Sequence, residues 1–165
     1  MPKKSGKRSD GGTPATVALT RAGVPFTVHT YQHDPTADSF GLEAAQRLGL
    51  DPARVFKTLF AAVDGGLVVG IVPVSTRLDL KAVASAVGGK RAAMADPAAA
   101  ERSSGYVLGG ISPVGHKRSH PTVLDESARR HATVYVSGGK RGMEVEIAPA
   151  DLLRVTEATT APIGR

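Results

Sequence analysis

The most regular pattern of hydrophobic and polar positions predicts a β-hairpin in the first half of the chain. Residues 55–63 and 67–75 are rich in apolar and β-branched side chains, and they flank Asp64-Gly65-Gly66, a sequence typical of tight turns. The second of these segments is almost continuously apolar. Because such a run has no polar face to present to water, we expect it to form a central strand that is covered on both sides.

A second hairpin is predicted for residues 133–137 and 143–147, which are joined by a glycine-rich turn. In the second segment every other side chain is apolar, and Glu144 and Glu146 occupy the positions between them. Successive side chains of a strand point to opposite faces, so the two carboxylates share one face. We expect that face to be the solvated one.

Short helices are predicted between the strands, because N-capping residues, early prolines and terminal glycines bracket several apolar periodicities. In the helix expected at residues 40–48, Leu42, Ala45 and Leu48 should form the packed side. Further helices are expected at residues 14–22, 80–87, 98–102 and 149–155, further strands at residues 26–31, 106–108 and 122–125, and a frayed end after residue 155. The sequence therefore predicts a mixed α/β fold, with a curved β-sheet and small surrounding helices.

Composition and charge narrow the possible classes of protein. Apolar residues make up 41% of the 165 positions and charged residues 22%, which is ordinary for one globular domain, and we place that domain at residues 13–165. The formal net charge is +6, and half of this excess falls in residues 1–12, an expected disordered basic tail. The remaining mild basic bias permits a nucleic-acid partner without requiring one.

The absence of certain sequence features also limits the chemistry. With no cysteine in the chain, disulfides, thiolate metal sites and a cysteine nucleophile are excluded. No apolar run has the length of a membrane span and no secretory leader is recognisable, so we expect no membrane partner and a cytoplasmic location.

Candidate chemistry centres on residues 105–121, which we call the glycine-rich segment. Glycine lets a backbone approach a ligand closely, and the prolines stiffen the segment. The backbone N–H groups around Gly109, Gly110 and Ser112 would suit a developing oxyanion or a phosphate. The spacing matches neither of the common glycine motifs for nucleotides. From the residues alone, both a pocket wall and a plain connector remain open.

Lys57 is the most suggestive single side chain outside that segment. It stands between apolar residues on the first predicted strand. A lysine in this position either reaches solvent or faces a pocket that binds a negative group. An exposed strand face is the commoner of the two outcomes.

For the other candidate residues the sequence supports a catalytic or binding role less strongly. His116 and His120 lie in a loop with no helix to bring them together, so no metal site is expected. Ser112 lacks the surroundings of a serine nucleophile. The basic pairs, which follow or lie within turns, are either solvated charges or phosphate contacts; they are Lys117, Arg118, Lys140 and Arg141.

Several blocks, in one order, resemble the YbaK/EbsC family of aminoacyl-tRNA deacylases, which are free-standing relatives of the editing domain of bacterial prolyl-tRNA synthetases. The blocks include Val-Phe-Lys-Thr-Leu at residues 55–59, Gly-Tyr-Val-Leu-Gly-Gly-Ile-Ser-Pro at residues 105–113 and Tyr-Val-Ser-Gly-Gly-Lys-Arg-Gly at residues 135–142. The similarity extends from about residue 14 to residue 165, which is nearly the whole chain outside the tail.

The resemblance implies an enzyme that removes cysteine mischarged on tRNA(Pro), and possible action on Cys-tRNA(Cys) as well. It implies that the cysteine thiol attacks its own ester, that Lys57 is essential, and that Gly109, Gly110 and Ser112 belong to a catalytic loop. Residues implied to line the substrate pocket are Tyr31, Phe40, Thr58, Ile111, Pro113, Ser137 and Glu144. Mischarged tRNA and prolyl-tRNA synthetase are the implied partners, and we expect a monomer that needs no cofactor.

Two alternatives remain at this point. The same family would allow removal of another small amino acid, such as alanine, by attack of water. A different class of protein, a non-catalytic module that binds tRNA or a nucleotide, would keep the pocket without turnover.

Overall fold

The computed structural model describes residues 12–37 and 39–165, so the predicted tail lies outside the described residues except for Gly12. Five α-helices are found in the described ranges: α1 (Pro14–Ala22), α2 (Phe40–Leu48), α3 (Leu80–Ala86), α4 (Pro97–Ser104) and α5 (Pro149–Thr156). Two 3-10 turns, Pro52–Arg54 and Glu126–Arg130, accompany them. The strands are β1 (Thr27–Thr30), β2 (Phe56–Val63), β3 (Gly66–Pro73), β4 (Ala92–Met94), β5 (Thr122–Asp125), β6 (Val134–Ser137), β7 (Met143–Ile147) and β8 (Thr159–Ala161).

The predicted mixed α/β class is confirmed, and the strands divide between two sheets. One sheet has three strands in the order β1-β7-β6, and all its pairs are antiparallel. The other has five strands in the order β4-β2-β3-β5-β8, in which β5 runs parallel to both of its neighbours. An isolated bridge between Val55 and Tyr135 joins the two sheets.

Both predicted hairpins are confirmed. In the β2–β3 hairpin Phe56 pairs with Pro73 and Val63 with Gly66, which leaves Asp64 and Gly65 as the turn. Strand β3 lies between β2 and β5, and most of its residues are buried, as the continuous apolar run predicted. The β6–β7 hairpin pairs Val134 with Ile147 and Ser137 with Glu144.

Local capping fixes the helix ends close to where the sequence places them. The Thr13 side chain accepts a hydrogen bond from the Thr16 N–H at 3.2 Å at the start of α1, and Gly23 ends that helix with φ +70°. A positive φ of this kind is favourable for glycine, which has no Cβ to clash. Ser39 caps α2 in the same manner, and Gly49 ends it.

The main core lies between the two sheets. It contains side chains from β2 and β3, such as Phe60 and Ile71, and side chains from the three-stranded sheet, such as Val136 and Val145. A second core packs on the opposite face of the five-stranded sheet, where Val72 contacts the layer formed by α3 and the C-terminal segment. The two apolar faces of β3 therefore serve two separate cores.

Three predictions about elements were wrong. Residues 106–108 form no strand, because Tyr106 turns inward and its hydroxyl donates to the Val114 carbonyl at 2.6 Å. The C-terminal segment is not frayed: β8 pairs with β5, and Ile163 is fully buried. In α2 the residue expected on the packed side, Leu42, is 47% exposed. Within the described residues, no helix combines the length and the apolar character needed to cross a membrane.

Candidate active site

A cavity of about 360 Å³ opens at the end of the cleft between the two sheets. Its walls come from the start of α2, the first half of β2, the glycine-rich segment and the ends of β6 and β7. The lining residues are Ser39, Phe40, Gly41, Phe56, Lys57, Thr58, Leu59, Leu108, Gly109, Ile111, Ser137 and Glu144. Ligand-binding sites in proteins commonly begin at about this volume.

Lys57 faces this cavity from β2 and is half-buried. Burial, followed by the positive charge of Arg77, lowers the pKa of the Lys57 amine. Among the described residues, no acidic side chain forms an ion pair with this half-buried ammonium group, so its positive charge is not compensated. An anionic group of a ligand in the cavity would compensate that charge.

Thr58 offers unpaired polar groups beside Lys57. Strand β4 pairs only with Ala61–Val63 of β2, and the last main-chain bond on that side joins Ala95 N–H to the Phe60 carbonyl at 3.0 Å. Because main-chain groups alternate in direction along a strand, those of Thr58 point to the same side as those of Phe60, beyond the reach of β4. The Thr58 hydroxyl is also buried without a hydrogen-bond partner among the described residues.

The glycine-rich segment forms the facing wall, and its glycines are packed too closely for side chains. Gly109 has φ +84°, and a Cβ there would lie 2.8 Å from Phe40 Cγ and 2.9 Å from Arg141 Nε. A Cβ on Gly110 would lie 2.8 Å from Lys140 Cα. These glycines therefore allow the segment to pack closely against other parts of the protein, namely the start of α2 and the β6–β7 turn.

Not all of the predicted backbone donors are free. The Gly110 N–H donates to the Val107 carbonyl at 2.9 Å, so in this structure it is not available to a reacting oxygen. Within the described part of the chain, the N–H groups of Gly109 and Ile111, two lining residues, have no such partner. Ser112 is buried behind the wall, where its hydroxyl accepts from the Val114 N–H at 3.2 Å.

Glu144 corrects the expectation of a solvated carboxylate. It is only 8% exposed, it lines the cavity, and burial raises its pKa to about 8. Tyr31 lies behind it, and burial followed by the charges of Glu144 and Glu43 raises the pKa of Tyr31 to about 12. At neutral pH the Glu144 carboxyl is therefore mainly protonated and can donate a hydrogen bond into the cavity.

Arg141 packs on Phe40, which lines the cavity, but Arg141 itself is not among the lining residues. The Arg141 guanidinium carbon lies 4.9 Å from the centre of the Phe40 ring, and Arg141 Nε donates to the Leu108 carbonyl at 2.9 Å. The other predicted basic residues, Lys117, Arg118 and Lys140, have exposed side chains and do not line the cavity.

His116 and His120, for which the sequence predicted no contact, lie close together behind the glycine-rich segment. Their rings are 6.5 Å apart, and each lies 5.4 Å from the ring of Phe60. His116 Nε2 is 2.5 Å from the Ser112 carbonyl oxygen, which ties the ring to the back of the wall. No third potential ligand completes a metal site within the described residues.

The structure thus brings seven of the eleven predicted catalytic and pocket residues to one cavity and leaves four outside its lining. Those in the lining are Lys57, Gly109, Phe40, Thr58, Ile111, Ser137 and Glu144, and those outside it are Gly110, Ser112, Tyr31 and Pro113. Sequence reasoning missed Ser39, Gly41, Phe56, Leu59 and Leu108 as lining residues. All five adjoin predicted residues along the chain, but a residue beside a site residue carries no sequence signal of its own.

Comparisons with known proteins identify the family of this chain. The sequence profile described as the aminoacyl-tRNA editing domain matches residues 33–155. The protein EbsC of Enterococcus faecalis, a candidate Cys-tRNA(Pro)/Cys-tRNA(Cys) deacylase, is 36% identical over 159 residues, which cover 95% of this chain and 96% of that protein.

Solved structures share the fold. The crystal structure of a candidate trans-editing enzyme for prolyl-tRNA synthetase superimposes with a TM-score of 0.78 and 27% identity, and the match covers 92% of this chain and 95% of that one. The hypothetical protein APE2540 superimposes with a TM-score of 0.82 over 92% of this chain and 99% of its own, and at 24% identity it supports the fold alone.

Proposed function

This chain belongs to the aminoacyl-tRNA editing domain family, and from that premise we propose that it removes cysteine mischarged on tRNA(Pro). The observation that carries the proposal is the cavity of about 360 Å³ with Lys57 on one wall and the glycine-rich segment on the other. A cavity of that volume accommodates an aminoacyl group at the end of a nucleic acid. The named activity of EbsC supports cysteine as the amino acid.

The reaction that suits these residues uses the substrate's own thiol. The cysteine sulfur loses its proton and bonds to the ester carbonyl carbon, and the bond from that carbon to the ribose oxygen breaks. The ribose oxygen takes up a proton, so the products are a cyclic cysteine thiolactone and uncharged tRNA. Holding the thiol against the carbonyl can lower the barrier by about 7 kcal/mol or more, which requires no nucleophile from the protein.

Lys57 and the backbone of the facing wall have complementary roles in this proposal. The half-buried ammonium group of Lys57 would bind the phosphate of the terminal adenosine or polarise the ester. The N–H groups of Gly109 and Ile111 would stabilise the negative charge that develops on the carbonyl oxygen. Ser112 supports the wall from behind and is not needed as a nucleophile.

A single substitution tests the role of Lys57. We expect Lys57→Ala to abolish release of cysteine from Cys-tRNA(Pro), because no other cation lines the cavity among the described residues. The control is Lys81→Ala, which removes an exposed lysine of α3. Circular dichroism and thermal unfolding establish that both variants fold. Wild-type rates in folded Lys57→Ala would disprove the assignment.

The identity of the amino acid and of the attacking group needs a separate experiment. A panel of tRNAs charged with cysteine, serine and alanine is assayed, and the released product is analysed at early times. Thiol attack predicts thiolactone from the cysteine substrate and no deacylation of the tRNAs charged with serine or alanine. Release of free alanine, with no thiolactone from the cysteine substrate, would instead establish attack by water. Tight binding of all three without ester loss would establish a non-catalytic module.

A protein of this size contacts little of a tRNA beyond the acceptor end, so selection of tRNA(Pro) requires help. We propose prolyl-tRNA synthetase as the partner, and the trans-editing structure that shares this fold supports that choice. The exposed Lys117, Arg118 and Lys140 lie outside the cavity and would contact tRNA phosphates. Such an enzyme would act as a monomer in the cytoplasm, where tRNA is charged. Gel shifts with tRNA, synthetase and both together test the ternary complex, and purely additive binding would contradict it.

A further inference from the structure

Arg141 connects three separate parts of the cavity wall. Its guanidinium group lies over the ring of Phe40, the first residue of α2, with 4.9 Å between the guanidinium carbon and the ring centre. Its Nε donates to the Leu108 carbonyl of the glycine-rich segment at 2.9 Å. The residue itself belongs to the turn between β6 and β7. One side chain therefore bridges a helix start, a loop and a hairpin turn.

The backbone around Arg141 is packed against the same loop. A Cβ on Gly109 would lie 2.9 Å from Arg141 Nε, and a Cβ on Gly110 would lie 3.0 Å from the Arg141 nitrogen. Gly142, the next residue, has φ +84°, and its carbonyl accepts from the Tyr31 N–H at 2.9 Å. The turn is thus held from two sides, so its position and that of the loop depend on each other.

These contacts bear on the reacting end of the site because Phe40, Leu108 and Gly109 all line the cavity. Removing the guanidinium group would release the Leu108 carbonyl and uncover one face of the Phe40 ring. The N–H groups of Gly109 and Ile111 would then lose a constraint on their direction. A displacement of about 1 Å at a reacting centre can cost roughly a hundredfold in rate.

We propose that Arg141 is a positioning residue, which holds the glycine-rich segment and Phe40 in the geometry that the reaction needs. This inference rests on the proposed function and goes beyond it, because a basic residue in an exposed turn would otherwise be taken as a tRNA phosphate contact. A guanidinium group is required, since a lysine ammonium cannot both lie over the ring and donate from a fixed Nε position.

The decisive experiment compares two substrates that differ in phosphate content. Cys-tRNA(Pro) carries the full nucleic acid, whereas the cysteine ester of adenosine carries no phosphate. We expect Arg141→Ala to lower kcat about tenfold or more on both substrates, with a smaller change in KM. We expect Arg141→Lys to remain impaired on both although it keeps the charge. Arg129→Ala, which removes an exposed arginine outside the cavity, is the matched control and should retain wild-type kcat on the adenosine ester.

A phosphate contact predicts a different set of results. Arg141→Ala would then raise KM for Cys-tRNA(Pro) alone, Arg141→Lys would restore it, and the adenosine ester would react at the wild-type rate. That outcome would overturn the proposal.

Hydrogen exchange provides a test that needs no turnover. In the free protein, the Gly110 amide, which donates to the Val107 carbonyl, should exchange faster in Arg141→Ala than in wild type, and at the wild-type rate in Arg129→Ala. Unchanged exchange in Arg141→Ala would also overturn the proposal. If wild type released cysteine from neither substrate, the proposed function would fail, and the exchange rates alone would decide the role of Arg141.

Discussion

Strand β7 carries two glutamates on one face, and its two ends give them opposite environments. Glu144 is 8% exposed, faces the cavity and has no hydrogen-bond partner among the described residues, and burial raises its pKa to about 8. Glu146 has a side chain that is 26% exposed, and it accepts from the Thr133 hydroxyl at 2.6 Å and contacts His29 at 3.0 Å. The Thr133 hydrogen bond, and then that with His29, lower the pKa of Glu146 against the effect of its partial burial.

The difference shows how a site can arise on a regular element. Identical side chains two positions apart differ only in what covers them, and at Glu144 the cover is the cavity wall formed by α2 and the glycine-rich segment. At Glu146 neighbouring strands supply partners instead. A carboxyl group whose pKa lies near neutrality is typical of functional sites, whereas a paired surface carboxylate is typical of structural ones.

The largest effect expected is on the pH dependence of stability. The pKa of Glu144 rises from 4.5 to about 8, so its favourable contribution is complete below pH 4.5 and is lost as the pH rises through 8. Each pH unit in that interval is worth about 1.4 kcal/mol, which amounts to a few kcal/mol in total. Glu144→Gln should therefore gain stability relative to wild type between pH 5 and pH 8 in denaturant unfolding. Parallel curves would show that Glu144 is already ionised at neutral pH.

A smaller effect is expected on activity. Ionisation of Glu144 places a negative charge in the cavity, where it opposes the charge that develops on the carbonyl oxygen. The ratio of kcat/KM for wild type to that for Glu144→Gln should fall roughly tenfold between pH 7 and pH 9, or about 1.4 kcal/mol in activation free energy. Taking the ratio removes the intrinsic effect of pH on the substrate thiol. A ratio that stays constant would mean that the charge of Glu144 does not reach the reacting centre.

Glu146 should show the opposite sign and a smaller size. Its lowered pKa means that the stability it contributes is present above pH 4.5 and is lost as the pH falls through the lowered value. Glu146→Gln should cost about 1 kcal/mol at pH 7, the usual value of one such hydrogen bond, and the cost should shrink in acid. Deacylation at pH 7 should change less than twofold. A larger loss of activity than of stability would contradict the contrast between the two ends of β7.

The smallest effect is expected at the partner of Glu146. His29→Gln removes the contact between the His29 ring and Glu146, which is partly exposed, but can keep a hydrogen bond, so the free energy of unfolding at pH 7 should change by about 0.5 kcal/mol or less. A double-mutant cycle with Glu146→Gln measures the coupling directly. A coupling above about 1 kcal/mol would mean that this end of the strand is held more tightly than its exposure indicates.

Much of the fold could be predicted because its signals are local. Thr13, Pro14 and Gly23 predict the ends of α1, since a cap and a left-handed glycine need only the residues beside them. The Asp64-Gly65 turn set the register of β2 against β3 for the same reason. The prediction failed at residues 106–108, where an apolar and aromatic run resembles a strand but Tyr106 forms a long-range contact with the core.

In the candidate site, too, local features could be predicted from the sequence and long-range contacts could not. Sequence reasoning identified Lys57 and the glycine-rich segment as chemically suggestive, and the resemblance added Phe40, Thr58 and Glu144. It could not show that Gly110 has its N–H bonded to Val107, because that bond depends on the turn the loop adopts.

The sequence by itself determined the mixed α/β class, the two hairpins, the helix ends and the absence of cysteine chemistry. Each of these follows from residue type or from neighbours along the chain. Only the tertiary structure decided that Glu144 is buried while Glu146 is not, that the C-terminal strand is ordered against β5, and that Arg141 stacks on Phe40. Burial and pairing of this kind depend on segments that are distant in sequence, and a local pattern does not indicate which distant segment will pack against it.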